Sequence, residues 1–507
     1  MNTKRTFFMI ITLIFITSLF FQCAKKGKEE IGIVQSEAVE MEVDVPQVYW
    51  EKSIGVLPLK SETMSLVNSY LADLVSSRLY SDLSKIQGLK VYSPSTVELV
   101  DQSMLQADYL LTTNIAEEEE EQMSIQVQLI DAKKDDNRTA RIYGETFHSL
   151  FAVEERAAKT VAKKMGYTID TGESISLKTT SPDVRKLYLE AQAFRIQEKR
   201  ESVNQAVEKY KEALRIDSTF TQAWVGLAES YLEIVHRGWD RNLVWQKLAH
   251  EASLKAVHYD STQAGGYLML GQVYLAWGDF KKAEQSYKKA LKINNNLDQA
   301  WVGLGQIYSQ FGLYEASLKV FEKALSLKPD DVGVSLNYAM ILVGLKQYEE
   351  SENVFRRILT IHPEEQYFHS FLALAQFYQD NISNAASEIQ LGLKSEAYRP
   401  FSHAVLAMIY TKQGKLDEAL GEVELEVKPY VGNNGSLASA VAAIYALLKR
   451  DGQAIQWIEK AVQFGYKEYP WMINDPNFKH LYRDERFVDL MNRMKKQWEK
   501  NMKRYLS

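Results

Sequence analysis

Cys23 and eight histidines are the residues of this 507-residue chain with the most versatile side-chain chemistry. A lone thiol cannot close an internal disulfide. His250 and His258 fall on one predicted helix, but eight residues apart, about two turns, which is too far to grip one ion or share one proton. They read as surface or packing residues. Glu117 to Glu121 offer five consecutive carboxylates. On a hairpin tip such a run fans outward, and the spaced Asp/Asn/Gly/Glu pattern of a calcium loop is missing, so it reads as a solvated, self-repelling tip. The Gly-rich Lys-Ser/Thr phosphate loop, the His-Glu-x-x-His pair and the Gly-x-Ser-x-Gly elbow are absent from the sequence. The expectation is a non-enzymatic chain with no catalytic residue, no metal and no cofactor.

The elements that would carry any function are framed by composition. Lys and Arg number 60 against 66 Asp and Glu, a net charge of −6, so the overall basic field that drives nonspecific nucleic-acid binding is missing. Hydrophobic residues are 46% of the chain, as in a globular protein. The start differs. In "MNTKRTFFMIITLIFITSLFFQC", Lys4 and Arg5 precede an apolar run from Phe7 to Phe21. At ~1.5 Å per residue that run covers only ~22 Å of a ~30 Å hydrocarbon core, which reads as an export signal over residues 1–23. The segment resembles a bacterial lipoprotein signal. The resemblance implies that Cys23 is lipidated as the new N-terminus, and that Ala24, standing where Asp would retain the protein, favours an outer-membrane lipoprotein facing the periplasm. Secretion or an inner-membrane anchor is the alternative. Residues 24–49 are acidic with few bulky apolar groups and read as a tether.

From Ser53 the text alternates strand and helix. "SIGVLPL" is a buried-strand run, and Leu66, Tyr70, Leu74 and Leu79 then recur at helical spacing until Gly88 stops the helix. "LKVYS", "ADYLLTTNI", "MSIQVQLIDA" and "ARIYGETF" follow as strands, with Ile125, Val127 and Leu129 alternating against polar neighbours, and "SLFAVEERAAKTVAKKM" closes as a helix. This order, with "YLADLVSSRLYSDLSKIQGLKV", "ADYLL" and "VQLIDA", resembles the TolB amino-terminal domain family over residues 50–168. The resemblance implies a small α/β domain with a mixed sheet that binds rather than catalyses.

Beyond a linker at 169–184, one pattern repeats. "GYLMLGQVYLAWGDFKKAEQSYKKALKI" (Gly266 to Ile293) returns 34 residues later as "AWVGLGQIYSQFGLYEASLKVFEKALSLKP" (Ala300 to Pro329). Tyr267, Leu270, Tyr274 and Tyr287 match Trp301, Leu304, Tyr308 and Phe321, while Gly271, Ala283 and Ala290 match Gly305, Ala316 and Ala324. The period and this spacing identify tetratricopeptide repeats. Further copies start near Leu187, Thr221, Val332, Phe368, Pro400 and Gly435, about eight in residues 185–466, with an insertion at "HRGWDRNLVW" and a capping segment over 467–507. Ile358 and Glu426 stand where alanine is usual, which predicts less regular packing there. The whole is expected to be multidomain, the α/β domain followed by an all-α superhelical solenoid whose units bury each other's faces.

In this family the first helix of each unit lines a groove at its second, fifth, ninth, twelfth and thirteenth positions. Carried over, these include Gln222, Val225, Glu229, Leu268, Gln272, Leu275, Gln299, Val302, Gln306, Ser309, Leu336, Met340, Phe401 and Met408. The mixture of amide and apolar groups fits an extended or helical peptide, its backbone satisfied by glutamines. The reading is a scaffold for other proteins of the cell envelope, held on the membrane by a lipid anchor. A sensor whose α/β domain binds a small ligand or cell-wall fragment, or a component of an envelope or flagellar assembly, is the alternative.

Overall fold

The computed structural model describes residues 45–46, 50–57, positions scattered from 76 to 97, 107–118, 122–131, 136–143, 150–167, 181–197, 199–240 and 242–506. The export signal with Cys23, nearly all of the tether and the acidic tip at Glu119–Glu121 lie outside them. The chain divides into two compact units: residues 46–303 with 323–330, and residues 304–322 with 331–507.

The first unit begins with five strands, β1 (Lys52–Val56), β2 (Leu89–Tyr92), β3 (Tyr109–Glu118), β4 (Gln122–Asp131) and β5 (Asp136–Tyr143), followed by α1 (Leu150–Lys164). They form one mixed sheet in the order β2-β1-β3-β4-β5. β1 pairs in parallel with β2 and β3, whereas β3, β4 and β5 form an antiparallel meander. The apolar run of β1 explains its central place: Ile54 and Val56 are fully buried in a core with Leu89, Val91, Leu111 and Leu129, covered by Ala157, Ala158, Val161 and Ala162 of α1. Gly88 adopts φ +80° just before β2, where a side chain would be strained. Beside these strands Ser53 and Asp108 clasp each other. The Ser53 amide and Oγ donate to Asp108 Oδ2 at 2.8 and 2.9 Å, and the Asp108 amide donates to Ser53 Oγ at 3.0 Å.

Helical hairpins follow: α2 (Pro182–Ile196) with α3 (Arg200–Ile216), α4 (Thr221–His236) with α5 (Val244–Tyr259), α6 (Ala264–Ala276) with α7 (Phe280–Ile293), and α8 (Asp298–Gln310) with α9 (Tyr314–Leu327). Next come α10 (Val332–Gly344) with α11 (Tyr348–Ile361), α12 (Phe368–Tyr378) with α13 (Ile382–Gly392), α14 (Arg399–Lys412) with α15 (Leu416–Glu422), and α16 (Gly435–Leu447) with α17 (Asp451–Gln463). These are tetratricopeptide-type repeats. The first starts earlier than the spacing around Leu187 implied, because Ser181 caps Pro182 at the helix start through its hydroxyl, 3.4 Å from the Val184 amide. The sheet belongs to the same unit as the early repeats: Asn296, 1% exposed in the α7–α8 loop, donates through Nδ2 to the carbonyls of Ser84 and Leu89 at 2.8 and 2.9 Å.

Tyr287 is enclosed by the small residues expected around it, and Ala283 and Ala290 are fully buried. In the following copy the small position is Ser317 rather than Ala316. Ser317 is fully buried and its hydroxyl donates to the Gly305 carbonyl at 2.8 Å. Glu426 does disturb its helix: α15 passes into a π turn, Val423–Val427, and a 3-10 turn, Lys428–Tyr430. A carboxylate cannot enter the gap between helices, and here it faces Arg399 at 3.3 Å instead. Ile358 causes no such break. It is buried within a regular α11, so the interior there accepts its bulk. The insertion forms the loop between α4 and α5, each 16 residues long, where Arg237 lies over Trp239 at 5.7 Å and Trp245 meets Tyr231 at 5.6 Å.

The second unit ends with α18 (Tyr469–Asn474), a 3-10 segment (Pro476–Arg483) and α19 (Glu485–Leu506). α19 places Phe487, Leu490, Met491 and Met494 in the core of that unit.

Candidate groove

In the first unit Gln222, Val225 and Glu229 lie on α4, Gln272 and Leu275 on α6, and Gln299 and Val302 at the start of α8. All are half-buried except Gln299, which is exposed. The repeat spacing brings two of the glutamines together: Gln272 Nε2 donates to Gln299 Oε1 at 3.1 Å. Gln222 Oε1 is buried with no hydrogen-bond donor among the described residues. Glu229 is taken by Arg195 in an ion pair of 3.0 Å. Leu268 is a correction. At 8% exposed it packs inside the helical array and lines no open surface.

The second unit departs further from the expected groove. Gln306 remains half-buried. Leu336, Met340 and Met408 are 2%, 1% and 4% exposed, Ser309 is buried with its hydroxyl turned to the Gln306 carbonyl, and Phe401 is stacked on Phe371 at 4.3 Å. All are buried except Phe401, which is half-buried against the core. Leu336, Met340 and Met408 share one continuous cluster with Trp471, Met472, Phe478, Phe487 and Met494 of the C-terminal segment. Direct contacts tie that segment to the repeats. Trp498 Nε1 donates to the Phe311 carbonyl at 2.9 Å, Trp471 meets Tyr378 edge-on at 6.5 Å, and Asn477 Nδ2 donates to the Tyr378 hydroxyl at 3.4 Å. The C-terminal segment thus packs on part of this unit's repeats, through Trp498, Trp471 and Asn477. The signal was in the sequence: Phe487, Leu490, Met491 and Met494 stand at helical spacing, a stripe that needs something to cover.

Sequence reading also missed a polar pair written twice. His369 Nδ1 lies 2.6 Å from Glu388, and His403 Nδ1 lies 2.6 Å from Glu422, each joining the first helix of a repeat to its second. Both members recur 34 residues on. His250, by contrast, packs beside Trp277 at 4.8 Å and meets the Tyr274 hydroxyl at 3.2 Å, while His258 meets only the Tyr259 ring among the described contacts. Among the described residues no three His, Cys, Asp or Glu converge as metal ligands.

Residues 173–372 match the family model of the tetratricopeptide repeat protein 21 C-terminal ARM domain. No curated protein sequence matches the chain. Among solved structures, a tetratricopeptide repeat protein from Parabacteroides merdae is similar at 17% identity over 54% of this chain and 100% of that one, with a TM-score of 0.36. PilF of Pseudomonas aeruginosa is similar at 18% identity over 41% of this chain and 89% of that one, TM-score 0.34. A tetratricopeptide repeat protein of Thermus thermophilus is similar at 24% identity over 38% of this chain and 94% of that one, TM-score 0.29.

Proposed function

We propose that this chain is a lipid-anchored scaffold of the bacterial cell envelope that holds a partner protein along the strip formed by α4, α6 and the start of α8. Repeat arrays of this type serve as surfaces for other proteins, and the strip supplies the chemistry such a surface needs. The carrying observation is the Gln272–Gln299 pair, with Gln222 on the preceding repeat and Val225, Leu275 and Val302 on the same three helices. The exposed Gln272–Gln299 pair can exchange its mutual bond for bonds to a peptide backbone. The TolB-like resemblance of residues 50–168 and their mixed sheet support a second docking surface on the same unit. The lipoprotein-type resemblance of residues 1–23 supports a position at a membrane.

Crosslinking in cells followed by identification of the attached proteins tests this reading. Gln222→Ala, Gln272→Ala and Gln299→Ala together should deplete the principal partner. An unchanged partner set would count against the strip.

A further inference from the structure

We propose that a pocket at the C-terminal ends of α12, α14 and α16 binds an acidic peptide segment of a partner protein. The cavity, about 640 Å³, is lined in part by the 3-10 segment Pro476–Arg483. Lys412, Lys449, Lys479 and Arg483 line it against a single lining carboxylate, Asp380. Lys412 is held by Asp380 at 2.8 Å, and the lining His480 is held by Asp451 at 3.0 Å. Lys449, Lys479 and Arg483 have no carboxylate partner among the described residues. Three unneutralised cations therefore meet in one concavity of a chain whose net charge is −6. A concave wall concentrates such a field toward anions.

The backbone holds one of these cations, Lys449, at a cost. At the turn between the two helices of a repeat, Gly278, Gly312 and Gly414 take the left-handed conformation. Lys346 and Asp380 occupy the same 34-residue register with φ of +59° and +61°, and Lys449 does so one residue later at +57°. Strain of this kind at non-glycine residues collects where function needs a side chain. Burial, and then the nearby Lys479, lower the ammonium pKa of Lys346, which stands beside the pocket.

The extent of the site favours a peptide over a compact anion. α12, α14 and α16 pack in succession, and neighbouring helices lie about 8–10 Å apart, so the cationic turns run over roughly 20 Å. That is the length of about six extended residues. Phe377, Leu447 and Pro476 add an apolar wall for a side chain between the acidic ones.

This inference rests on the scaffold reading but uses residues away from the α4–α6–α8 strip. A fluorescein-labelled Glu-Glu-Phe-Glu-Glu peptide, titrated into the full-length protein and followed by anisotropy, should bind and should weaken steeply with salt. Lys449→Glu, Lys479→Glu and Arg483→Glu combined should weaken it by about tenfold or more. The exposed Lys281→Glu on α7 should not, and circular dichroism should report unchanged folding in all variants. Equal affinity in the triple variant would overturn the proposal, as would equal binding of the Gln-for-Glu peptide, or full displacement by inorganic pyrophosphate, which would assign the pocket to a small anion. Peptide binding that persists when the three strip glutamines are replaced would keep this site distinct from failure of the strip.

Discussion

Tyr287 is fully buried between two glycines, and a Cβ added to Gly271 or Gly303 would come within 2.5 or 2.3 Å of its ring. Gly271→Ala gains ~1 kcal/mol of helix propensity, yet it must displace a ring with nowhere to go, for a net loss of about 1–3 kcal/mol. Gly452→Ala, where nothing lies within 4 Å, should instead stabilise by about 0.4–1 kcal/mol. Urea titration of the two variants beside the parent checks the opposite signs. Asp475 carries a different kind of information. It caps the 3-10 segment by accepting from the Asn477 amide at 2.9 Å, and burial pushes its carboxyl from 3.8 up to about 7. The folded state keeps a proton that the unfolded chain releases near pH 4. Stability is therefore favoured by acid and declines as pH rises through that interval to about 7. Asp475→Asn keeps the acceptor and removes the titration. Urea midpoints at about pH 5 and pH 8 should fall less in the variant than in the parent, and parallel midpoints would show that Asp475 does not govern the C-terminal segment.

Elements were legible wherever the cause was local. Helices begin at Thr221, Val332, Phe368 and Gly435, where aromatic and small residues recur at the repeat spacing, and the π turn follows from Glu426. The start at Pro182 was written in Ser181-Pro182-Asp183, a capping signal that core spacing overlooks. What could not be read locally is which surface the C-terminal segment covers. Met340 lies in the same core cluster as Met472 and Phe487, more than 130 residues away, and a helix periodicity carries no record of how far such a cluster reaches. The left-handed turns lie between these cases, since the 34-residue register marks them and Lys346 and Asp380 stand where other copies carry Gly278, Gly312 and Gly414. Lys449→Gly should relieve the turn and raise stability by about 1 kcal/mol in thermal unfolding, while weakening the acidic peptide. A variant that gains stability without losing peptide affinity would place Lys449 outside recognition.

At the scale of the molecule, the two proposals give a partner two chemically different surfaces on one chain, an amide strip on α4, α6 and α8 and a cationic pocket beside the C-terminal segment. Anchoring decides whether these surfaces can work on partners confined to a membrane. A single acyl chain holds a protein only marginally, whereas two or three, each burying about 0.8 kcal/mol per CH₂, hold it firmly. The acidic stretch at 24–49 would then let the folded part stand off the bilayer, since its carboxylates are repelled by anionic headgroups. Cys23→Ser removes the only thiol available for lipidation. The variant should lose incorporation of radiolabelled palmitate and move from the detergent phase to the aqueous phase in Triton X-114 partition. Its purified form should bind the acidic peptide as the parent does, because the pocket lies far along the sequence from the anchor. In cells, however, crosslinks to membrane partners should fall, because anchored partners are concentrated in two dimensions and a released protein loses that effective concentration. Retention of palmitate label by Cys23→Ser would refute the anchor, and undiminished crosslinking by a released protein would show that anchoring does not bring the partners together.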